Sequence, residues 1–177
     1  RKESSAASDV YKRQYYYNEY WYMRKYEKGK DYPIYLRKYK SLDADEELLV
    51  DVNKLAEGYS YFQLRGISIS PDNKKMAYAV DTLSRRIYTI KIKNLETGEM
   101  YNEQIRNTTG GSTWANDNKT LFYSSREDIT LRVNKIHKHQ LGSDVGEDEL
   151  VYEEKDKEFS TGIYKTKSNK FLVIGSG

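Results

Sequence analysis

The tripeptide Asp-Asn-Lys stands at residues 72–74 and again at 117–119, a spacing of 45. Each copy lies between two short apolar runs, in ISISPDNKKMAYAV (67–80) and GSTWANDNKTLFYSS (111–125). Further on, Ile90 and Leu95 in IKIKNL correspond to Ile136 and Leu141 in IHKHQL, now at a spacing of 46. The extra residue is what a loop insertion would add. A third copy opens at Ser168-Asn169-Lys170 and is followed by FLVI (171–174). A period near 45 residues that carries several strands is the mark of a propeller blade. A lone four-stranded sheet cannot bury both of its faces, whereas stacked copies can. The other reading of the repeat is an open β-sandwich with chance internal similarity.

Strands follow from the alternation of apolar residues and from turn residues. Residues 66–70, 76–81, 87–94 and 100–105 form the expected first blade, and Tyr88, Ile90 and Ile92 share one face of its third strand. Residues 112–115, 120–125, 131–139 and 149–153 form the second, and 159–165 with 170–174 open a third. Pro71-Asp72-Asn73, Glu96-Thr97-Gly98 and Asn116-Asp117-Asn118 suit tight hairpins, because Gly, Asn and Asp tolerate positive φ. The expected fold is mainly all-β. It is a partial β-propeller of about two and a half four-stranded antiparallel blades. A β-rich N-terminal segment with a short helical turn precedes it. That segment holds two aromatic strand-like runs, YYYNEYWYMRKY and YPIYLRKY, joined by EKGKD. DVNKLAEG (51–58) reads as the helical turn, with Asp51 as its cap and Gly58 as its end.

The chain divides into residues 1–14, 15–60 and 61–177. RKESSAASDVYKRQ has no initiator Met and almost no hydrophobic period, so residues 1–14 read as a non-native leader, translated from linker DNA. A native disordered tail is the alternative. KFLVIGSG ends just after a strand-like apolar run, an edge that a natural domain usually covers, and this points to a truncated propeller.

Composition removes several functions. The net charge is +3, and without residues 1–14, which carry four basic side chains against two acids, it is +1. That balance points to neither nucleic acid nor membrane. The aromatic-basic run from Tyr15 to Tyr26 reads as packed β aromatics rather than a base-stacking platform. No cysteine is present, so there is no thiolate metal site or disulfide. Eighteen tyrosines beside two prolines favour pleated, half-buried surfaces.

No catalytic, cofactor-binding or metal residue is expected in this chain. A nucleophile elbow needs Gly-x-Ser-x-Gly, and Gly110-Gly111-Ser112-Thr113-Trp114 puts Trp at the second Gly position. His137 and His139 share a strand face, but nothing at ligand spacing completes a metal site, so they read as solvated histidines. Asp43-Asp45-Glu46-Glu47 and Glu147-Asp148-Glu149 read as solvated loops, and Leu48 occupies the position where a calcium loop requires Gly.

YYYNEYWYMRKYEKGKDYPIYLRK, DVNKLAEG, SISPDNKKMAYAVDT, RRIYTIKIKNLETGE, WANDNKTLFYS, TLRVNKIHKHQLGSD and LVYEEKD occur in one order from Tyr15 to about Ile174. In this they resemble the N-terminal segment of the prolyl oligopeptidase family, nearest to its oligopeptidase B branch. One departure is RVNKIHKH, where the branch is richer in tyrosine. The resemblance implies a serine peptidase of the cytoplasm, with the periplasm as the alternative, whose propeller admits short peptides to an α/β-hydrolase domain. In the oligopeptidase B branch the substrates carry Arg or Lys at the cleavage site. Residues 15–60 would pack on the hydrolase domain and residues 61–177 would be the first blades. The Ser, Asp and His of the triad would lie downstream of Gly177, so the chain alone is expected to be inactive. A prolyl-specific relative, or a propeller used only for protein binding, are the alternatives.

Overall fold

A computed structural model describes residues 10–127 and 129–177. The chain forms two compact units that divide after Tyr59.

The first unit is an antiparallel meander in the order β1-β2-β3-β4, made of Val10–Tyr17, Tyr20–Tyr26, Ile34–Tyr39 and Glu47–Asp51. The run YYYNEYWYMRKY is two strands, not one. Asn18 and Glu19 both take positive φ (45° and 72°), and Tyr17 pairs with Tyr20, which makes a two-residue hairpin. Positive φ at both central residues matches the right-handed twist of the flanking strands. Val10–Gln14, inside the stretch set apart above as a leader, runs in β1, with Val10 opposite Tyr26 and Lys12 opposite Arg24. The rest of that stretch, residues 1–9, lies outside the described residues. Tyr22, Met23, Ile34, Leu36, Leu49, Val50 and Val52 form the buried interior of the unit. Arg37 is buried with them, and its Nε and Nη2 donate to both carboxylate oxygens of Glu47 at 2.7 and 2.9 Å. The helical turn is α1, Val52–Leu55, capped by Asp51, whose Oδ1 accepts from the Asn53 N–H at 3.0 Å. Gly58 follows with φ +84°, which turns the chain out of the helix.

The second unit begins with β5 (Gln63–Ile69), β6 (Lys75–Asp81) and β7 (Tyr88–Asn94), followed by the long β8 (Met100–Trp114). Next come β9 (Thr120–Arg126), β10 (Val133–Gln140) and β11 (Glu149–Glu153), and β12 (Thr161–Lys165) pairs with β13 (Leu172–Ser176). Strands β5 to β11 follow one another in sequence order through a single hydrogen-bonded series. The two blades expected as separate sheets share β8. Its first half pairs with β7 (Lys93 with Met100, Ile90 with Ile105), and its second half pairs with β9 (Ser112 with Tyr123, Trp114 with Leu121). The handover is at Thr108, opposite Tyr88 on one side and Ser125 on the other. Asn107 (φ 58°) and Gly110 (φ 97°) bend the strand there. So the outer strand of one blade runs straight into the inner strand of the next, where the sequence predicted a connection over 106–111.

The repeat is visible atom by atom. Asn73, Asn118 and Asn169 stand at the same turn position with φ 62°, 60° and 58°. Asn tolerates this left-handed geometry better than other side chains except glycine. Each turn closes alike, by Asn73 N to Ser70 O (2.8 Å), Asn118 N to Ala115 O (3.3 Å) and Asn169 N to Thr166 O (2.8 Å). Leu95 N donates to Lys74 O and Leu141 N to Lys119 O, both at 2.8 Å, so the 46-residue match is one bond made twice. The turns also bind one another. Asp72 N donates to Asn118 Oδ1 at 2.8 Å, and Asn116 Nδ2 donates to Asn169 O at 2.7 Å.

The core between these sheets holds Ala77, Ala79, Tyr88, Ile90, Ile92, Ile105, Trp114, Leu121 and Tyr123. Tyr88, Ile90 and Ile92 are buried at every second position of β7, as the alternation requires.

Candidate functional site

The string nearest to a nucleophile elbow has a packing role. Gly110-Gly111-Ser112-Thr113-Trp114 lies within β8 rather than at a strand-to-helix turn. Trp114 is buried, and its indole N–H donates to Ser68 O at 3.0 Å, which ties β8 to β5. Gly66 (φ +68°) meets the same string, since a Cβ on it would lie 2.1 Å from the Gly110 carbonyl oxygen. Only glycine fits where two backbones approach so closely.

The two histidines are not simply solvated. His139 is fully buried, and its Nδ1 donates to Asp148 Oδ1 at 2.6 Å. The Tyr123 hydroxyl donates to the other carboxylate oxygen, also at 2.6 Å. Burial first, then the Asp148 carboxylate, pushes the Tyr123 phenol far above its ordinary value, so it stays a donor. The acidic triplet is not a solvated loop at Asp148, whose side chain is 4% exposed. The sequence predicted neither burial, because His-x-His in a strand and an acidic triplet before one look the same when solvated.

His137 lies half-buried, stacked on Tyr123 at 5.2 Å between ring centres. Its Nε2 is 2.9 Å from Ser125 Oγ, a distance at which a base could activate a hydroxyl. Burial first, and Lys135 second, lower its pKa, so the ring is neutral at neutral pH. However, both oxygens of Asp148 are engaged by Tyr123 and His139. Among the described residues no carboxylate bonds the other ring nitrogen of His137 to fix its tautomer, as the triad arrangement requires. The pair ties β9 to β10. Among the described residues no group of three or more His, Cys, Asp or Glu side chains could hold a metal ion.

The first acidic cluster is also partly engaged. Glu47 binds Arg37, and Glu46 accepts from Tyr11 and from Lys25, whose Nζ is 3.0 Å away. Asp43 and Asp45 are exposed as expected.

A concave site opens at the end of the blades opposite the Asx turns. Gln63 starts β5 opposite Asp81 at the end of β6, Tyr88 starts β7 and Arg126 ends β9, so one end of the sheet gathers them. The pocket measures about 460 Å³, and its walls include Tyr61, Gln63, Arg65, Arg86, Tyr88 and Arg126. Ser84 also stands in the wall, so among the described residues the wall carries three guanidinium groups and no carboxylate. The Gln63 carboxamide oxygen accepts from the hydroxyls of Tyr61 (2.9 Å) and Tyr88 (3.1 Å). That fixes the amide orientation and leaves its NH₂ without a partner among the described residues. The Arg65 guanidinium lies 5.3 Å from the centre of the Tyr88 ring. These residues were not singled out from sequence. The signal was there in the alternation of Tyr61, Gln63 and Arg65, which puts all three on one face.

Residues 3–177 match the family model described as prolyl oligopeptidase, N-terminal beta-propeller domain. The chain belongs to this family. Among curated relatives of this prolyl oligopeptidase propeller, dipeptidyl aminopeptidase BI of Pseudoxanthomonas mexicana is 36% identical over 170 residues, covering 88% of the chain. Protease 2 of Moraxella lacunata is 35% identical over 167 residues, covering 90%. The chain spans 24% of the length of each. Among solved structures, oligopeptidase B from Leishmania major superposes with a TM-score of 0.89 at 32% identity, over 96% of the chain and 24% of that protein. Oligopeptidase B from Trypanosoma brucei gives 0.86 at 26% identity, with the same coverage. The partial propeller inferred from the repeat is therefore the N-terminal propeller domain of this family, and the open sandwich is excluded. Among the described residues no helix is long and apolar enough to cross a membrane.

Proposed function

We propose that this chain is the N-terminal part of an oligopeptidase B-like serine peptidase whose blades gate the entry of short peptides to a hydrolase domain. The observation that carries the reading is the superposition on oligopeptidase B over 96% of the chain, at 32% identity. In this reading residues 15–60 pack on the hydrolase domain and residues 61–177 begin the ring. A closed ring needs about 4–8 blades. In this reading the seven-strand series β5 to β11 supplies two blades, and the β12–β13 pair opens a third. The preferred substrates are peptides with Arg or Lys at the cleavage site, and the compartment is the cytoplasm.

The test is one long sequencing read through the source DNA on both sides of this frame. The expected result is further blades, then Gly-x-Ser-x-Gly on a sharp turn after a strand. An acidic specificity pocket in that domain supports cleavage after Arg or Lys, and an apolar one replaces that preference with proline. A stop codon directly after Gly177 in intact genomic DNA would overturn the peptidase reading and leave a binding propeller.

A further inference from the structure

The arginine-lined pocket has the chemistry of an oxyanion site. Arg65 and Arg86 are exposed, Arg126 is half-buried, and among the described residues no ion pair is formed by any of the three. Arg126 is held in place, since its Nη1 donates to Leu131 O at 3.2 Å, while its buried Nε has no partner. Arg86 is placed by its loop. Asp81, which is buried, accepts the Leu83 N–H on one oxygen and the Arg86 N–H on the other, at 2.9 and 3.0 Å. Both oxygens of that carboxylate accept from backbone N–H groups, and among the described residues it forms no ion pair with the guanidiniums. Ser84 and Arg86 both stand at positive φ, 56° and 58°, so the loop holds costly conformations at the pocket wall. Gln63, whose carboxamide oxygen is taken by Tyr61 and Tyr88, adds the neutral NH₂ of its amide to the same wall.

Unpaired guanidiniums facing one cavity, with no acid among them, recognise a planar oxyanion through paired N–H donors. We propose that the pocket binds the free C-terminal carboxylate of a short peptide, held by Arg65, Arg86 and Arg126 with Gln63 beside them. The choice of a peptide as the bearer rests on the peptidase reading above, whereas the preference for a carboxylate rests on the pocket alone. A volume of about 460 Å³ admits the last residue or two of a peptide, and the half-buried Tyr61 stands in its wall. For a peptidase that takes short peptides, such a site would favour chains with a nearby free end.

The test is calorimetric titration of the 177-residue chain with acetyl-trialanine as the free acid and as the C-terminal amide. The expected result is that the acid binds about tenfold more tightly or better, as one or two charge-assisted hydrogen bonds provide. Arg65→Gln and Arg126→Gln should each erase most of that difference while leaving the circular dichroism unchanged. Equal binding of acid and amide would overturn the proposal, and needs no variant to fold. An amidated peptide with an internal glutamate that binds as well as the free acid would overturn the assignment to the chain terminus. Inorganic phosphate bound at the site and not displaced by the peptide acid would overturn the assignment to peptides. None of these results touches the peptidase reading, which stands or falls on the downstream coding sequence.

Discussion

At the scale of single residues, the most demanding position is Gly66. Its φ of +68° disfavours any side chain, and the Gly110 carbonyl oxygen would lie 2.1 Å from a Cβ there. The obstacle is backbone, so it cannot swing aside. Gly66→Ala should destabilise the second unit by about 2–4 kcal/mol, the sum of left-handed strain and a forced separation of β5 from β8. Urea denaturation checks this, and a change under about 0.5 kcal/mol, the level of an ordinary surface substitution, would contradict it. Asp148 tests a different force. It is the shared acceptor of the Tyr123 hydroxyl and His139 Nδ1 in a nearly dry site. Asp148→Ala leaves both donors buried without a partner and should cost about 2–4 kcal/mol, read in the same urea titration. His139→Ala in that background should then cost less than it does alone, because the bond it would remove is already gone.

At the scale of elements, the repeated turn is the unit that sequence reveals best. Asp72-Asn73-Lys74 and Asp117-Asn118-Lys119 declared themselves by composition, and the turns carry the same backbone bonds and the same left-handed Asn. The strands followed because period-two burial in β7 is a direct image of its sequence. What stayed hidden depends on contacts between elements. Continuity of β8 across two blades rests on pairing with β7 and β9 on opposite sides, which no local pattern encodes. The hairpin at Asn18-Glu19 is easily missed, because its two polar residues sit between aromatics that read as one strand-like run. Burial of His139 and Asp148, and the gathering of Arg65, Arg86 and Arg126, were likewise beyond a linear reading, since residues 65, 86 and 126 come from three separate segments. The turn itself invites a graded test. Asn118 supplies both a tolerated positive φ and an oxygen that accepts from Asp72 N. Asn118→Gly keeps the first and loses the second, so it should cost about 0.5–1.5 kcal/mol. Asn118→Ala loses both and should cost about 1–2 kcal/mol more than the glycine variant. A reversed order in thermal melts would remove the argument. The turns also carry an acid dependence. Burial raises the Asp117 carboxyl pKa, but bonds from the Thr120 hydroxyl and the Lys119 and Thr120 N–H groups outweigh it and hold the value below the ordinary range. A depressed folded pKa means this stabilisation is complete above the unfolded value near ~3.9 and is lost as pH falls through the folded one. The stability difference between the native chain and Asp117→Asn should therefore shrink as pH falls below about 4, followed by urea titration at successive pH values. A difference that stays constant from neutral pH into that acid range would show that the carboxylate charge plays no part.

At the scale of the whole molecule, the second unit ends in open sheet edges. β5 and β11 are the outer members of the seven-strand series. Leu150 and Val151 on β11 are exposed, and the β12–β13 hairpin exposes Phe171 (66%) and Tyr164 (57%). A two-stranded hairpin is marginal by itself, and an unpaired edge with exposed apolar side chains is a template for another chain. A propeller supplies the explanation, because stacked blades cover one another's faces, and this chain spans 24% of the length of its dipeptidyl aminopeptidase BI and protease 2 relatives. The chain on its own should therefore self-associate, and sedimentation velocity should show mass that grows with concentration. Val151→Lys places a charge on the edge strand and should shift the distribution towards monomer, since edge lysines block strand addition. If association ran instead through the apolar hairpin, Val151→Lys would leave it unchanged and Phe171→Lys would reduce it. A single monomer boundary at all concentrations, joined to one cooperative melt, would mean that two blades and a hairpin satisfy their own edges. The stacking argument for why the chain repeats itself would then lose its force.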